Sequence, residues 1–343
     1  MLTVLLIIFA FGLLIFFHEF GHFIIAKILK IKVLQFCFGL GKEIIGKTIG
    51  ETRYSLCLLP LGGAVRLKGE NIEELDTESD SFFGKKWYQR MLVVVMGPFM
   101  NYVLAVIIFF MLLYFFGLTV ISDEPVIGEV IEGKPAAVVG LKQNDRILKV
   151  NDIEINSWSK LAEVIHNSAG KKILLKVLRN NNILYFEIIP EEDPTTKKGI
   201  IGITPGYKVE KVNFIESLKM AVYQPIFLSI FSVKYLIDKI IKFQKPEIAG
   251  PVGIVQVLSK AAKAGLENFL YTVGVISSML ALFNLFPIPV LDGGHVMFCF
   301  LEAITKKLPS KKLFEISNLI GLTFLFSLLL FATYSDILRI IKR

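Results

Sequence analysis

The sequence predicts a polytopic α-helical membrane protein with four transmembrane helices, a membrane re-entrant β-hairpin, and one inserted α/β domain. Three observations carry that expectation. Of the 343 residues, 54% are hydrophobic, above the roughly 45–50% apolar share of an ordinary soluble domain. Charged residues still make up 20%, too many for a chain lying wholly in lipid. The charges are also segregated: long apolar runs give way, over residues 122–207, to mixed charges and short β-rich runs such as "KILLKVLR" and "ILYFEIIP".

The first span is residues 1–26. It has the apolar core of a signal peptide, but no Lys or Arg precedes the run and no small-residue cleavage site follows it. It exceeds the roughly 20 residues a membrane crossing needs. Lys27, Lys30 and Lys32 follow closely, which places the N-terminus outside and residue 27 inside. The second span, 91–117, is entered from "KKWYQR" and leaves toward the acidic "SDEP"; the third lies in 268–298 and the fourth in 317–334, just after "KKLPSKK". Four spans put both termini and the 122–207 domain on the outer side of the cytoplasmic membrane. Within 208–267, residues 221–243 are apolar but carry Lys234, Asp238 and Lys239, so they are read as a helix in the outer interface, with a fifth span as the alternative.

The net charge of +8 forms no basic stripe interleaved with aromatics, and membrane orientation accounts for it without nucleic acid. Three cysteines, an odd number with no CxxC pair, are expected as separate buried thiols.

The loop 27–90 holds "TRYSLCLLPLGGAVRLKGE", residues 52–70, where Pro60-Leu61-Gly62-Gly63 between two strand-like runs signals a hairpin turn. This hairpin is too apolar for water. An open strand edge is tolerated in a membrane only where it lines a cavity or is shielded by protein, so the hairpin is expected to border a cavity between spans. In the outer domain, "GKPAAVVGLKQNDRILKVNDIEINSWSKLAEVI" resembles a PDZ domain of the bacterial protease-associated type, giving a single PDZ-like α/β domain. Asn144-Asp145 stands where that type has Gly-Asp, and Asn also tolerates the left-handed turn.

The chemistry is carried by "HEFGH" inside the first span. On a helix His18 and His22 share one face a turn apart, the spacing with which two imidazoles bind one Zn²⁺. Glu19 lies about 100° around the helix, within reach of a water at the metal without being a ligand. A carboxylate at this depth costs about 2.5–3.5 kcal/mol, and such residues mark function. A catalytic zinc takes three protein ligands. The region "NLFPIPVLDGGH", residues 284–295, offers Asn284, Asp292 and His295 after an apolar run that Pro287 and Pro289 must unwind.

Together, HEFGH, a central PDZ-like domain and NLFPIPVLDGG resemble the site-2 protease family of intramembrane zinc metalloproteases, in its bacterial RseP/RasP-type branch with a single PDZ domain. "FGLGK" at 38–42, "PLGGAV" at 60–65, "MGPFMN" at 96–101 and "AGPVGI" at 249–254 extend the likeness over nearly the whole chain. The resemblance implies zinc on His18, His22 and Asp292, with Glu19 as catalytic base, Asn284 holding the substrate backbone, and no ligand role for His295. It implies hydrolysis of peptide bonds within single-span membrane proteins. A substrate helix must be unwound and re-paired before attack, and the hairpin residues Leu58, Gly62, Gly63, Ala64 and Val65 are expected to offer it a strand edge. The competing readings are a non-catalytic PDZ-bearing membrane scaffold, for which a costly Glu19 has no use, a soluble-type zincin with a membrane anchor, and a transporter, which would need polar residues along several spans.

Overall fold

The computed structural model describes residues 2–70, 76–244 and 249–341, so residue 1 of the first expected span, 71–75 of the 27–90 loop and 245–248 of the 208–267 segment lie outside the described residues. The chain divides into two units, residues 1–115 with 213–343, and 116–212.

A run of Leu, Ile and Phe without proline forms α1 (Leu2–Ile28), whose 27 residues measure about 40 Å. Two long strands follow, β1 (Val33–Ile49) and β2 (Thr52–Leu67). Their pairing corrects the expected hairpin. A tight turn lies at Gly50-Glu51, where Gly50 takes φ 61° and Ile49 pairs with Thr52; the chain also reverses around Pro60–Gly63, since 53–56 runs beside 35–38 in the same direction and 63–66 in the opposite one. The turn-forming residues thus reverse the chain as expected, but the two arms do not pair with each other, because 35–38 lies between them. Phe36 pairs with both Tyr54 and Val65, and Cys37 with both Ser55 and Ala64, so 35–38 is the middle of the ribbon and 63–67 an outer edge. The expectation of three separate thiols is also corrected: Cys37 and Cys57 are joined as a disulfide, and only Cys299 is free and buried. The chain then enters α2 (Trp87–Met111), with Pro98 inside it.

In residues 116–212 the chain forms β3 (Leu118–Ile121), β4 (Ile127–Val130), α3 (Pro135–Val138), β5 (Arg146–Val150), β6 (Ile153–Glu154), α4 (Trp158–His166), β7 (Ile173–Arg179), β8 (Asn182–Ile188), β9 (Glu191–Glu192), β10 (Gly199–Ile200), β11 (Ile203–Pro205) and β12 (Tyr207–Glu210). A four-stranded sheet, β6-β5-β7-β8, packs Ile147, Val150, Leu175 and Val177 against Leu161 and Ile165 of α4. Asn144 takes φ 68°, the left-handed turn that its place before Asp145 requires. Asp145 is fully buried, accepts from the Lys142 N–H, and takes two bonds from the Arg179 guanidinium at 2.7 and 2.6 Å. A bidentate pair with a backbone donor satisfies the buried carboxylate and fixes that turn.

The first unit resumes with α5 (Phe214–Ile241), α6 (Pro251–Lys263), α7 (Leu266–Asn284), α8 (Asp292–Thr305) and α9 (Lys311–Ile341). Phe214 meets Phe110 with ring centroids 5.1 Å apart, and Ser229 hydrogen-bonds Tyr102 at 2.6 Å, so α5 runs antiparallel to α2. The N-terminus of α6 has no side-chain cap of its own. Asp336 of α9, 2% exposed, accepts from the Gly253 N–H at 2.7 Å and supplies it. Leu14, Leu104, Ala105, Phe109, Leu258 and Val273 form the core where α1, α2, α6 and α7 meet. Five helices among the described residues are long and apolar enough to cross a membrane: α1, α2 extended to Phe116, α5, α7, and α9 to Arg339.

Candidate active site

The HEFGH segment lies on the helical part of α1 that faces α2. His18 and His22 bring their Nε2 atoms to 3.3 Å. Asp292, the first residue of α8, places Oδ2 3.2 Å from His18 Nε2 and Oδ1 3.6 Å from His22 Nε2. Ligand atoms around a tetrahedral zinc, with bonds near 2.05 Å, stand about 3.3 Å apart. The three donors therefore fit one such ion. Among the described residues, no other three His, Cys, Asp or Glu bring ligand atoms within 4.8 Å of one another. The carboxylate at the helix start is further favoured by the positive end of the α8 dipole.

Helix α2 holds both imidazoles from behind. His22 Nδ1–H donates to the Val93 carbonyl at 2.9 Å, which leaves Nε2 free to ligate. The Asn101 amide lies 3.3 Å from His18 Nδ1, and Asn101 Oδ1 is buried without another hydrogen-bond partner among the described residues. With Nε2 committed to a metal, Nδ1 carries the proton, and the same amide turned by half a rotation presents its oxygen to it. Ser277 of α7 donates to the Asn101 carbonyl at 2.8 Å and ties that position to a third helix.

Two glycines allow this approach. A Cβ on Gly21 would lie 2.2 Å from the Met96 carbonyl oxygen, and one on Gly97 would lie 2.3 Å from His22 Nε2. Small residues let membrane helices touch backbone to backbone. Gly97→Ala is accordingly expected to lower zinc affinity about 10- to 100-fold, the usual cost of disturbing a ligand's support, as read by metal retention against a chelator series.

The chain reaches Asp292 through a broken helix. Pro287 and Pro289 have no N–H to continue α7, and Val290, a β-branched residue, takes φ 81°. Such a strained residue persists only where its surroundings over-determine it. Arg90 of α2, 3% exposed, ion-pairs with Glu302 near the other end of α8 and lies 5.0 Å over the Phe83 ring. Both ends of α8 are thus anchored.

Glu19 Oε2 accepts the Val65 N–H of β2 at 3.1 Å, beside the three candidate donors but outside their set. All four line a cavity of about 350 Å³ with Gly63, Ala64, Val65, Leu67, Glu70, Asn284 and His295 among its walls. Of the residues expected to meet substrate, Asn284, Gly63, Ala64 and Val65 face this cavity; Gly62 and Leu58 are not among its walls, and Leu58 is 61% exposed. His295 packs at a tilt against Phe314 with centroids 5.7 Å apart and does not join the three-donor group. Sequence reasoning missed the parts played by Gly97, Asn101, Arg90 and Glu302. Polar and charged residues inside or beside apolar runs were the available signal.

The family model for peptidase family M50 matches residues 6–328. A Rickettsia conorii protein that carries a provisional zinc-metalloprotease name is 35% identical over 356 residues, covering 98% of this chain and 99% of the relative. The zinc metalloprotease RasP of Bacillus licheniformis is 29% identical over 421 residues, and the regulator of sigma-W protease RasP of Bacillus subtilis 27% over 419, each covering 98% of this chain and 99% of the relative. Among solved structures, the PDZ domain of the SdrC-like protein from Listeria monocytogenes is 22% identical with a TM-score of 0.23, covering 25% of this chain and 90% of that one. With a match over nearly its whole length, the chain belongs to peptidase family M50.

Proposed function

We propose that this zinc metallopeptidase cleaves the transmembrane segments of single-span membrane proteins after their outer domains have been trimmed. The observation that carries the reading is a set of three zinc-competent donors and the Glu19 carboxylate on apolar helices, opening into one cavity whose wall includes a strand edge with no strand partner among the described residues. Bound there, zinc supplies Lewis acidity to a scissile carbonyl and acidity to a water. Glu19 is placed to accept a proton from an attacking water and to pass it to the leaving amine. The Val65 N–H holds Glu19 at the strand edge until substrate arrives. Asn284 hydrogen-bonds the unwound substrate backbone from the opposite wall.

The structure sorts the residues of the strand edge. Ala64 and Val65 stand opposite Cys37 and Phe36 of β1, and the Val65 N–H is the one bonded to Glu19 in the cavity wall. Val65→Pro removes that donor. It is expected to cripple cleavage while zinc stays bound, in reconstitution with a model single-span substrate; unchanged turnover would refute the strand-edge role. The same assay with a zinc chelator, which should stop the wild type, tests the peptidase reading itself.

The protein is a multi-pass membrane protein, and the positive charges after α1 orient it with both termini and residues 122–207 outside the cytoplasmic membrane. In this reading α5 enters from the outer side along α2, and α6, whose buried N-terminus is capped by Asp336, returns toward the start of α7. The pair leaves the number of changes of side at four. The PDZ-like domain acts as a size filter that rejects substrates with bulky outer domains. Deleting 122–207 is expected to make full-length substrates cleavable, read by gel mobility of the products. Release of a membrane-held anti-sigma factor and clearance of remnant signal peptides are the two physiological tasks that suit such an enzyme. A scaffold without catalysis has no use for Glu19 placed beside a complete ligand set.

A further inference from the structure

We propose that Glu70 is a specificity-determining residue that favours substrates carrying Lys or Arg two or three residues to the inner side of the cleaved bond. The inference rests on the reading that substrate extends along the 63–67 edge of β2.

Two carboxylates occupy that edge. Glu19 Oε2 accepts from the Val65 N–H at 3.1 Å, and Glu70 Oε2 accepts from the Leu67 N–H, also at 3.1 Å. N–H groups two apart on a strand point the same way, about 7 Å from each other. Both residues line the cavity. A substrate strand added here sets its own carbonyl oxygens on these N–H groups and displaces the carboxylates. Glu19 is then free for proton transfer, and Glu70 faces the substrate side chains two to three residues farther along.

Position and charge name the side chain that Glu70 meets. The Lys68 N–H donates to the Lys32 carbonyl at 2.9 Å, so this end of β2 sits beside the cationic end of α1, the side read as inner. Spans carry their Lys and Arg on that side, and a carboxylate at the inner mouth complements them. The cations that flank it in the chain form no ion pair with it among the described residues: Lys68 is bound to Asp80 at 2.8 Å and to Glu78, and Arg66 is not within ion-pair distance of Glu70. Glu19 and Asp292 are committed to proton transfer and metal, which leaves Glu70 as the cavity's carboxylate without an assigned charge.

The test is a series of single-span substrates in which Arg, Gln or Glu is placed at each of the four positions on the inner side of the cleaved bond, with the bond located by mass spectrometry. In the wild type, Arg is expected to raise kcat/KM about five- to tenfold over Gln at the second or third position and little elsewhere. Glu70→Gln brings that ratio close to one, and Glu70→Arg inverts it in favour of Glu at the same position. A wild-type profile with no positional preference overturns the assignment, as does an Arg preference that survives undiminished in Glu70→Gln. If the wild type cleaves no member of the series, the peptidase reading falls and this inference with it; cleavage with a flat profile removes Glu70 alone.

Discussion

Glu19→Gln is expected to lower cleavage of a reconstituted single-span substrate by about 10²–10⁴-fold, the range for loss of a positioned general base. Zinc content should stay at the wild-type level. The two readouts separate because Glu19 is bonded to the Val65 N–H, while the three donors grouped to hold a metal are His18, His22 and Asp292. Gln keeps the size and the oxygen that Val65 donates to, but it has no basic site for the proton of the attacking water. A fall in zinc content equal to the fall in turnover would make Glu19 a ligand or a structural prop instead.

Asp292→Asn should do the reverse and act on the metal first. The carboxylate is the one anionic donor of the three, and both of its oxygens face imidazole nitrogens at 3.2 and 3.6 Å. An amide in its place is neutral and turns one of those positions into an N–H. Loss of zinc affinity should exceed the 10- to 100-fold typical of a merely supporting residue. Activity should return partly at high free zinc, which Glu19→Gln would not show. Titration against a zinc-buffering chelator measures the affinity directly.

Much of the site was legible because lipid makes ionisable side chains expensive. His18, Glu19 and His22 stand out in an apolar run for that reason, and helical periodicity alone puts the two histidines on one face. Asp292 is different. Nothing in local spacing joins it to α1, and only the likeness of NLFPIPVLDGG to a known pattern named it; the structure shows how a proline-broken helix and a strained Val290 bring it there. The reversal at Pro60-Leu61-Gly62-Gly63 was legible from its turn chemistry, but the insertion of 35–38 between its two arms was not. The pairing of 35–38 with two parts of β2, which decides the matter, is non-local. The same distance hid the Cys37–Cys57 bond. Gly97 and Asn101 were visible as a small and a polar residue in an apolar helix, yet the sequence does not say which neighbour needs the space or the amide. Asp336 lay beyond the end assigned to the last span, and its partner, the uncapped start of α6, is defined only by the fold.

The central claim is that one zinc ion is held within the membrane helices by donors from α1 and α8. X-ray absorption at the zinc edge of the purified, detergent-solubilised protein tests it most directly. The account predicts one zinc per chain with a nitrogen and oxygen shell at about 2.0–2.1 Å and the multiple scattering of two imidazoles. A sulfur shell at about 2.3 Å, or protein that hydrolyses substrate with no zinc bound, would contradict it.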